Sequence, residues 1–474
     1  MKEVDLIVIG GGPAGMTAAT EAARLGATVA LIEENENLGG KVFAPTGHTI
    51  KGSAADEIEK RIGSRILKDF GRIKDNISVF LNTEVWGFVD QKAVLLYSRT
   101  DVGKPLECIR GDKLIISVGA FEKAIPFPGW TLPGVFSVGG LNTLVKKSIL
   151  PGKRFLLAGT GPLQLVLAHH LINAGADLSA IVTAASLKDI ATSAFKIIAS
   201  IDYLKIRSGF DYLHNIKRHH IPIYRSHIIS KVFGTSEVER AEIVQVDRSW
   251  NPIRGTEKEI GVDCVAYGFG LIPCAELTRL CGCKHFYDER LGYWRVELNE
   301  KMETNIPGVF AAGDGLTIKG YSAAIEEGRV AALEACTQLG HVGRREVDRL
   351  LRPSLRKLKR FNRLGQIMDV LSAPRPGIFN ILSDDTIVCR CEEVTMQDVI
   401  SAVANGARDV SDIKRRTRLG MGHCQGRFCG QVINELIWRL TGVRKQHEIF
   451  TPRTPAKPVP FECLAGELKN GLPI

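Results

Sequence analysis

At 474 residues the chain is long enough for about three domains, which excludes a single small binding module. Hydrophobic residues at 45% and charged residues at 24% are globular values and exclude a disordered or low-complexity protein. The formal charge of +10 is concentrated in one stretch, and the eleven cysteines begin only at Cys108, a distribution that fits a reducing compartment better than a disulfide framework.

Val4-Asp5-Leu6-Ile7-Val8-Ile9 reads as a buried parallel strand and runs directly into Gly10-Gly11-Gly12-Pro13-Ala14-Gly15. A helix with small residues at Ala18, Ala19, Ala22 and Ala23 follows and ends at Gly26. A second strand, Thr28 to Ile32, closes a βαβ unit on Glu33. In such a unit Gly10 permits the tight turn, Gly12 lets backbone approach a pyrophosphate, and Gly15 allows close helix packing. The helix N-terminus supplies positive dipole, and Glu33 accepts from the adenosine ribose hydroxyls.

The opening recurs at Arg154 to Ala158, followed by Gly159-Thr160-Gly161-Pro162-Leu163-Gln164, a helix to Gly175 and a strand from Leu178 to Val182. The copy is degraded. Its third glycine is Gln164, and Thr183-Ala184 stands where a ribose-binding acid belongs. Without that acid, or an arginine in its place, neither NADH nor NADPH finds a ribose partner.

Between the copies, Leu114 to Ala120 reads as a strand leading through Val118-Gly119 into a proline-rich connector. Beyond the second copy, Thr304 to Asp314 reads as a buried strand closing on Gly313-Asp314. A carboxylate at that strand end suits a flavin ribityl hydroxyl. This order of motifs resembles the two-dinucleotide-domain flavoproteins, which include the pyridine nucleotide-disulfide oxidoreductases, over residues 1 to about 340. The resemblance implies FAD contacts at Gly10, Gly12, Pro13, Ala14, Gly15, Glu33, Gly40, Gly119, Gly313 and Asp314. It also places the N-terminus of the helix after Gly320, which contains Glu326, Glu327 and Gly328, near the isoalloxazine. Gly159 and Gly161 become the contacts of whatever the second fold holds, for which an adenine nucleotide such as ATP is the candidate. Disulfide reduction is not expected, because no cysteine stands where the reductases carry their redox pair, and Cys281-Gly282-Cys283 reads as a structural feature.

From Arg344 to Arg363 nine basic residues face only Glu346 and Asp348, and Phe361 is the one aromatic residue among them. Nucleic acid is not the expected partner. A docking surface for a partner subunit or an acidic membrane face stands beside a simply solvated helix face.

The last fifth carries Cys389-Arg390-Cys391-Glu392 and Gly420-Met421-Gly422-His423-Cys424-Gln425-Gly426-Arg427-Phe428-Cys429-Gly430, with helices at Met396 to Ala404 and Val410 to Thr417 between them. Four thiolates at Cys389, Cys391, Cys424 and Cys429 suit zinc or an iron-sulfur cluster. The cations Arg390, Lys414, Arg415, Arg416, Arg418 and Arg427 suit a centre whose negative charge grows on reduction. The segment resembles the bacterioferritin-associated-ferredoxin-like (BFD-like) [2Fe-2S] domain. The two halves together resemble the larger FAD subunits of dye-linked dehydrogenases and oxidases: proline and hydroxyproline dehydrogenase α subunits, opine oxidase A subunits and a hydrogen cyanide synthase subunit.

The expected fold is therefore α/β, two Rossmann-like dinucleotide-binding domains plus a small C-terminal helical [2Fe-2S] domain. Residues 1–130 and 260–343 form the FAD-binding domain, 131–259 the second nucleotide-binding domain, 344–380 a basic linker or helix, and 381–474 the cluster domain and tail. The resemblance implies an electron-transfer subunit of a heteromeric imino-acid, amino-acid or opine dehydrogenase. Its partners would be an FAD-dependent amine-oxidising β subunit, a small third subunit, and an acceptor such as a quinone. The alternative is a self-sufficient NAD(P)H-dependent FAD/[2Fe-2S] reductase. No hydrolytic constellation is visible, and His169-His170 and His219-His220 show no partners in the sequence. No apolar run reaches the roughly 18 residues of a spanning helix. No signal peptide is seen, so the expected place is the cytoplasm, peripheral at the inner face of a membrane.

Overall fold

The computed structural model describes residues 2–43, 54–100, 107–189, 191–192, 203–289, 291–444 and 448–461, with Leu464. Apolar strands followed by alanine-rich helices dictate the first domain. Lys2–Ile9 lies parallel to Val29–Ile32 on one side and to Glu107–Ile116 on the other, with Ile9 level with both Ile32 and Ile116. Ile77–Phe80 extends the sheet beyond Val29–Ile32, and Val309–Ala311 pairs with the end of Glu107–Ile116. An antiparallel layer, Thr83–Asp90 and Ala93–Ser98, is built on the first half of Glu107–Ile116.

One sheet face, with Leu6, Val8, Leu31 and Ile115, packs on helices Pro13–Arg24 and Tyr321–Leu339. Their small residues explain how close the helices come: a Cβ at Gly328 would stand 2.1 Å from the Ala14 carbonyl oxygen. The opposite face buries Ile7, Ile9, Ile32, Leu114 and Ile116 in a second core.

Among the described residues the second domain repeats the plan with five parallel strands in the order Ile223–Arg225, Asp177–Thr183, Arg154–Thr160, Cys264–Phe269, Val135–Ser137. The expected return to the first domain at residue 260 is corrected here. Cys264–Phe269 is a central strand of the second sheet, with all six residues buried, and the chain crosses back only at Leu271–Pro273. That short strand pairs with Ala120–Glu122 and ties the two domains together.

The basic stretch is one helix, Arg344–Ser372, packed along Tyr321–Leu339 through Val347, Leu351 and Leu358. Among the described residues the last domain is a hairpin, Ile387–Cys389 with Val394–Thr395, and three α-helices, Met396–Ala404, Val410–Thr417 and Ile433–Thr441, around Val399, Ile413, Ile433 and Leu436. The first two helices span the residues the sequence suggests, because each opens on a cap. The Thr395 side chain accepts from the Asp398 amide in a reciprocal capping box, and Asp409 accepts from the Asp412 amide. The tail then returns to the first domain, where the Ala456 amide donates to the Trp86 carbonyl at 2.7 Å. No helix among the described residues is long and apolar enough to cross a membrane.

Candidate flavin and cluster sites

Open parallel sheets bind ligands beyond their carboxyl ends where strand order reverses. Here that point lies between Lys2–Ile9 and Glu107–Ile116. Gly10 turns the chain with φ of +101°, and a Cβ there would meet the Ser117 carbonyl oxygen at 2.4 Å, so only glycine serves. Ser117 Oγ donates to the carbonyls of Ile9 and Gly10 and locks the turn. Gly15 is equally confined, its virtual Cβ 1.8 Å from the Gly10 oxygen.

Gly12 is different. Its backbone is extended, and among the described residues a Cβ would meet nothing nearer than the Gly40 Cα at 3.9 Å. It borders open space at the N-terminus of the helix that Pro13 begins, with Ala14 and Gly15 in its first turn and Gly40 walling the other side, φ +60°. Gly119, φ +71°, has no described atom within 4 Å of its virtual Cβ. A helix N-terminus behind backbone that lacks side chains, next to room for a ligand, fits a pyrophosphate-bearing cofactor.

Glu33, at the end of Val29–Ile32, is only 5% exposed. Its Oε2 accepts from the Gly11 amide at 2.6 Å, and its Oε1 from the Asn35 amide and side chain at 2.9 and 2.6 Å. The carboxylate thus shapes the glycine loop, with acceptor capacity left on Oε2, which takes a single bond. Gly313 donates its amide to Glu327 Oε2, and Asp314 Oδ1 accepts from the Lys319 and Gly320 amides. Burial pushes the Glu327 carboxyl up despite Lys319 Nζ at 2.6 Å.

At Gly159 and Gly161 the second turn is filled from outside its own fold. A Cβ at Gly161 would lie 2.6 Å from Ser372 Oγ, and Thr160 Oγ donates to the Ser372 carbonyl at 3.1 Å. The end of the long helix occupies the mouth of the degraded turn. Gln164 Nε2, standing for the third glycine, donates to the Val182 carbonyl and binds its own sheet.

The four cysteines meet two by two: Cys389 with Cys429, and Cys391 with Cys424. The Cys429 thiol, with the amides of Gly420, Glu392 and Cys391, lowers the Cys389 pKa to about 6. Cys429 is pushed up in return, and burial raises Cys391 to about 11. Among the described residues no three His, Cys, Asp or Glu side chains gather closely enough for a single metal ion. The glycines here make a cradle, since a Cβ at Gly422 would stand 2.3 Å from Cys391 Cβ and one at Gly426 2.1 Å from the Phe450 ring. Four sulfurs in two pairs, lined by backbone amides, form a donor set that fits a [2Fe-2S] cluster, which Cys389, Cys391, Cys424 and Cys429 would hold.

The expected cation halo is partly neutralised. Arg418 pairs with Glu392, Arg415 with Asp412, and Arg427 with Glu276, while Lys414 Nζ lies 5.2 Å over the Phe450 ring. The Arg427–Glu276 pair, 2.8 Å, crosses to the flavin domain, where Phe121 packs edge-on against Phe428 at 6.4 Å. Arg279 donates to the Phe450 carbonyl at 2.8 Å. Arg427 stands out in the sequence, but Glu276 and Phe121 do not, since nothing in a lone helix acid or a strand phenylalanine announces a partner in another domain. The lack of partners for His169 and His170 is also corrected: His170 bonds Asn142 and, across to the first domain, Asp56, while His169 bonds Asn173 and Asn215 within the second domain.

Two nucleotide folds, an open glycine turn at the switch point and a four-thiol cradle docked beside it define a flavin and iron-sulfur oxidoreductase. Residues 4–328 match the pyridine nucleotide-disulphide oxidoreductase family, to which the chain belongs, and 387–439 match the BFD-like [2Fe-2S] binding domain. The family implies FAD and the domain a [2Fe-2S] cluster. The chain is 31% identical to the HcnB subunit of hydrogen cyanide synthase from Pseudomonas protegens, over 96% of each chain. It is also 31% identical to an opine oxidase A subunit from Rhizobium meliloti, over 97% of this chain and 87% of that one. Its fold matches L-proline dehydrogenase from P. horikoshii with a TM-score of 0.68 at 22% identity, over 98% of this chain and 79% of that one.

Proposed function

We propose that the chain is the electron-transfer subunit of a heteromeric dehydrogenase for an imino acid or amino acid, such as proline or hydroxyproline, or for an opine. Amine oxidation takes place on a second, FAD-dependent β subunit, with a small third subunit completing the complex and a quinone-type carrier accepting electrons. The observation that carries the reading is the docking of the cluster loop on the flavin domain through Arg427–Glu276 and Phe121–Phe428. Bound there, FAD and the cluster would supply the conversion between paired and single electrons. Gly10, Gly12, Pro13, Ala14 and Gly15 would hold the pyrophosphate, Gly40, Gly119, Gly313 and Asp314 would border the rest of the cofactor, and Glu33 would take the ribose. Cys389, Cys391, Cys424 and Cys429 would hold the cluster.

Ser372 at Gly161, with Thr183-Ala184 in place of an acid, argues against a nicotinamide dinucleotide in the second fold and so against a self-sufficient NAD(P)H reductase. A smaller adenine nucleotide such as ATP is the ligand we assign to the second fold, with Gly159 and Gly161 forming its turn and the cleft that remains beside Ser372, lined by Thr160, Gly161, Lys123 and Gly270, receiving it. Nucleotide released on denaturing the native protein identifies it. The working place is the cytoplasmic face of a membrane that carries the acceptor. Co-purifying the complex and screening prolines, hydroxyprolines and opines tests the substrate class; turnover of none of them overturns it.

A further inference from the structure

The helix Arg344–Ser372 buries one side and arms the other. Val347, Leu351 and Leu358 face the flavin domain, and Arg344 and Lys357 reach sideways to Glu334 and Glu326 at 2.7 and 2.6 Å. In one outward row stand Arg345, Arg349, Arg352, Arg356, Lys359 and Arg363, every one exposed and none in an ion pair among the described residues. Their spacing alternates four and three, so at about 100° per residue they fall within roughly 80° of one another on the helix surface. At ~1.5 Å per residue the row is about 27 Å long. No carboxylate interrupts it. Asp348 lies on its flank and is held by Arg344 at 3.0 Å.

We infer that this stripe is the adhesion surface of the protein for an anionic lipid bilayer. A protein partner would require an apolar centre inside a polar rim. Here the one large exposed apolar side chain among the helix's described residues, Leu350, points about 140° away from the stripe. A nucleic-acid partner would find phosphate contacts but no aromatic, Asn, Gln, Ser or Thr side chain on the row to touch bases. Lipid headgroups need only a line of cations at one level. Because the helix's apolar side is already packed, binding is electrostatic, without insertion, and reverses with salt. The inference deepens the peripheral location proposed above and is independent of substrate and electron route.

The test is sedimentation of the full-length protein with phosphatidylcholine vesicles, with and without about one-third phosphatidylglycerol, at low and high salt. The wild type should pellet only with the anionic vesicles and only at low salt. Each cation is worth roughly fivefold at such a surface, so Arg349→Gln/Arg352→Gln/Arg356→Gln should weaken binding about a hundredfold. Flavin and cluster absorbance, read in the same samples, should not change. Equal binding of the triple variant, binding to neutral vesicles, or no binding by the wild type would overturn the proposal. So would tighter retention by duplex DNA, or a stripe that vesicles ignore and that is shielded from chemical modification only in the co-purified complex.

Discussion

The glycines of one fingerprint do unequal work. Gly10 and Gly15 hold the turn itself, and any Cβ there strikes backbone, whereas Gly12 faces only the crevice. Gly12→Val should therefore fold, with φ near −76° acceptable to any residue, yet lose its flavin, because the branched side chain fills the space left for the pyrophosphate. Absorbance of the purified protein checks this; full yellow colour would remove Gly12 from the site. Cys424→Ser should behave in the opposite way. Its ligand loop belongs to a separate small core, so flavin should stay while the electron paramagnetic resonance signal of the dithionite-reduced cluster disappears. These positions are legible in sequence because each motif sits on a local strand-turn-helix or a tight loop. The roles of Glu276, Phe121 and Ser372 are not, since each depends on a partner far along the chain.

Elements are legible where their ends carry chemical signals, as at the capped helices Met396–Ala404 and Val410–Thr417, and less so where tertiary packing decides. The long basic helix is an example. Its register on Tyr321–Leu339 is set by the buried Glu326, which accepts from Ser354 Oγ at 2.6 Å, Lys357 Nζ at 2.6 Å and Arg329 at 3.0 Å. Burial pushes the Glu326 pKa up, but these donors outweigh it and hold the carboxyl below its ordinary 4.5. A depressed folded pKa means that the clasp stabilises fully above the unfolded value and is lost as pH falls through the folded one. Glu326→Gln should cost about 1–3 kcal/mol near neutrality. Thermal melts across pH should show the deficit of the variant shrinking below pH ~4. A deficit that stays constant into acid would dissociate Glu326 from the helix's attachment.

At the scale of the molecule, the order of domains is readable in the sequence but their junctions are not. The strand Cys264–Phe269 is apolar throughout and fits either sheet by pattern; only its pairing with Arg154–Thr160 assigns it to the second. The return through Leu271–Pro273 then sets Glu276 and Arg279 against the cluster loop and Phe450, joining the sites that lie in different thirds of the sequence. The molecule so built has an open glycine crevice proposed for the flavin, a four-thiol cradle docked beside it and a second nucleotide turn whose mouth meets the end of its own long helix. The chain purified alone should accordingly oxidise none of the candidate amines with an artificial dye, and turnover by the isolated chain would reveal a substrate pocket within it. Whether electrons reach this chain from an amine-oxidising partner and not from a nicotinamide is decided by anaerobic titration with NADH, followed by flavin absorbance and cluster resonance. NADH should leave both centres of the isolated chain oxidised, while the amine substrate should reduce both in the co-purified complex. Rapid bleaching of the flavin by NADH in the isolated chain would contradict delivery by the partner.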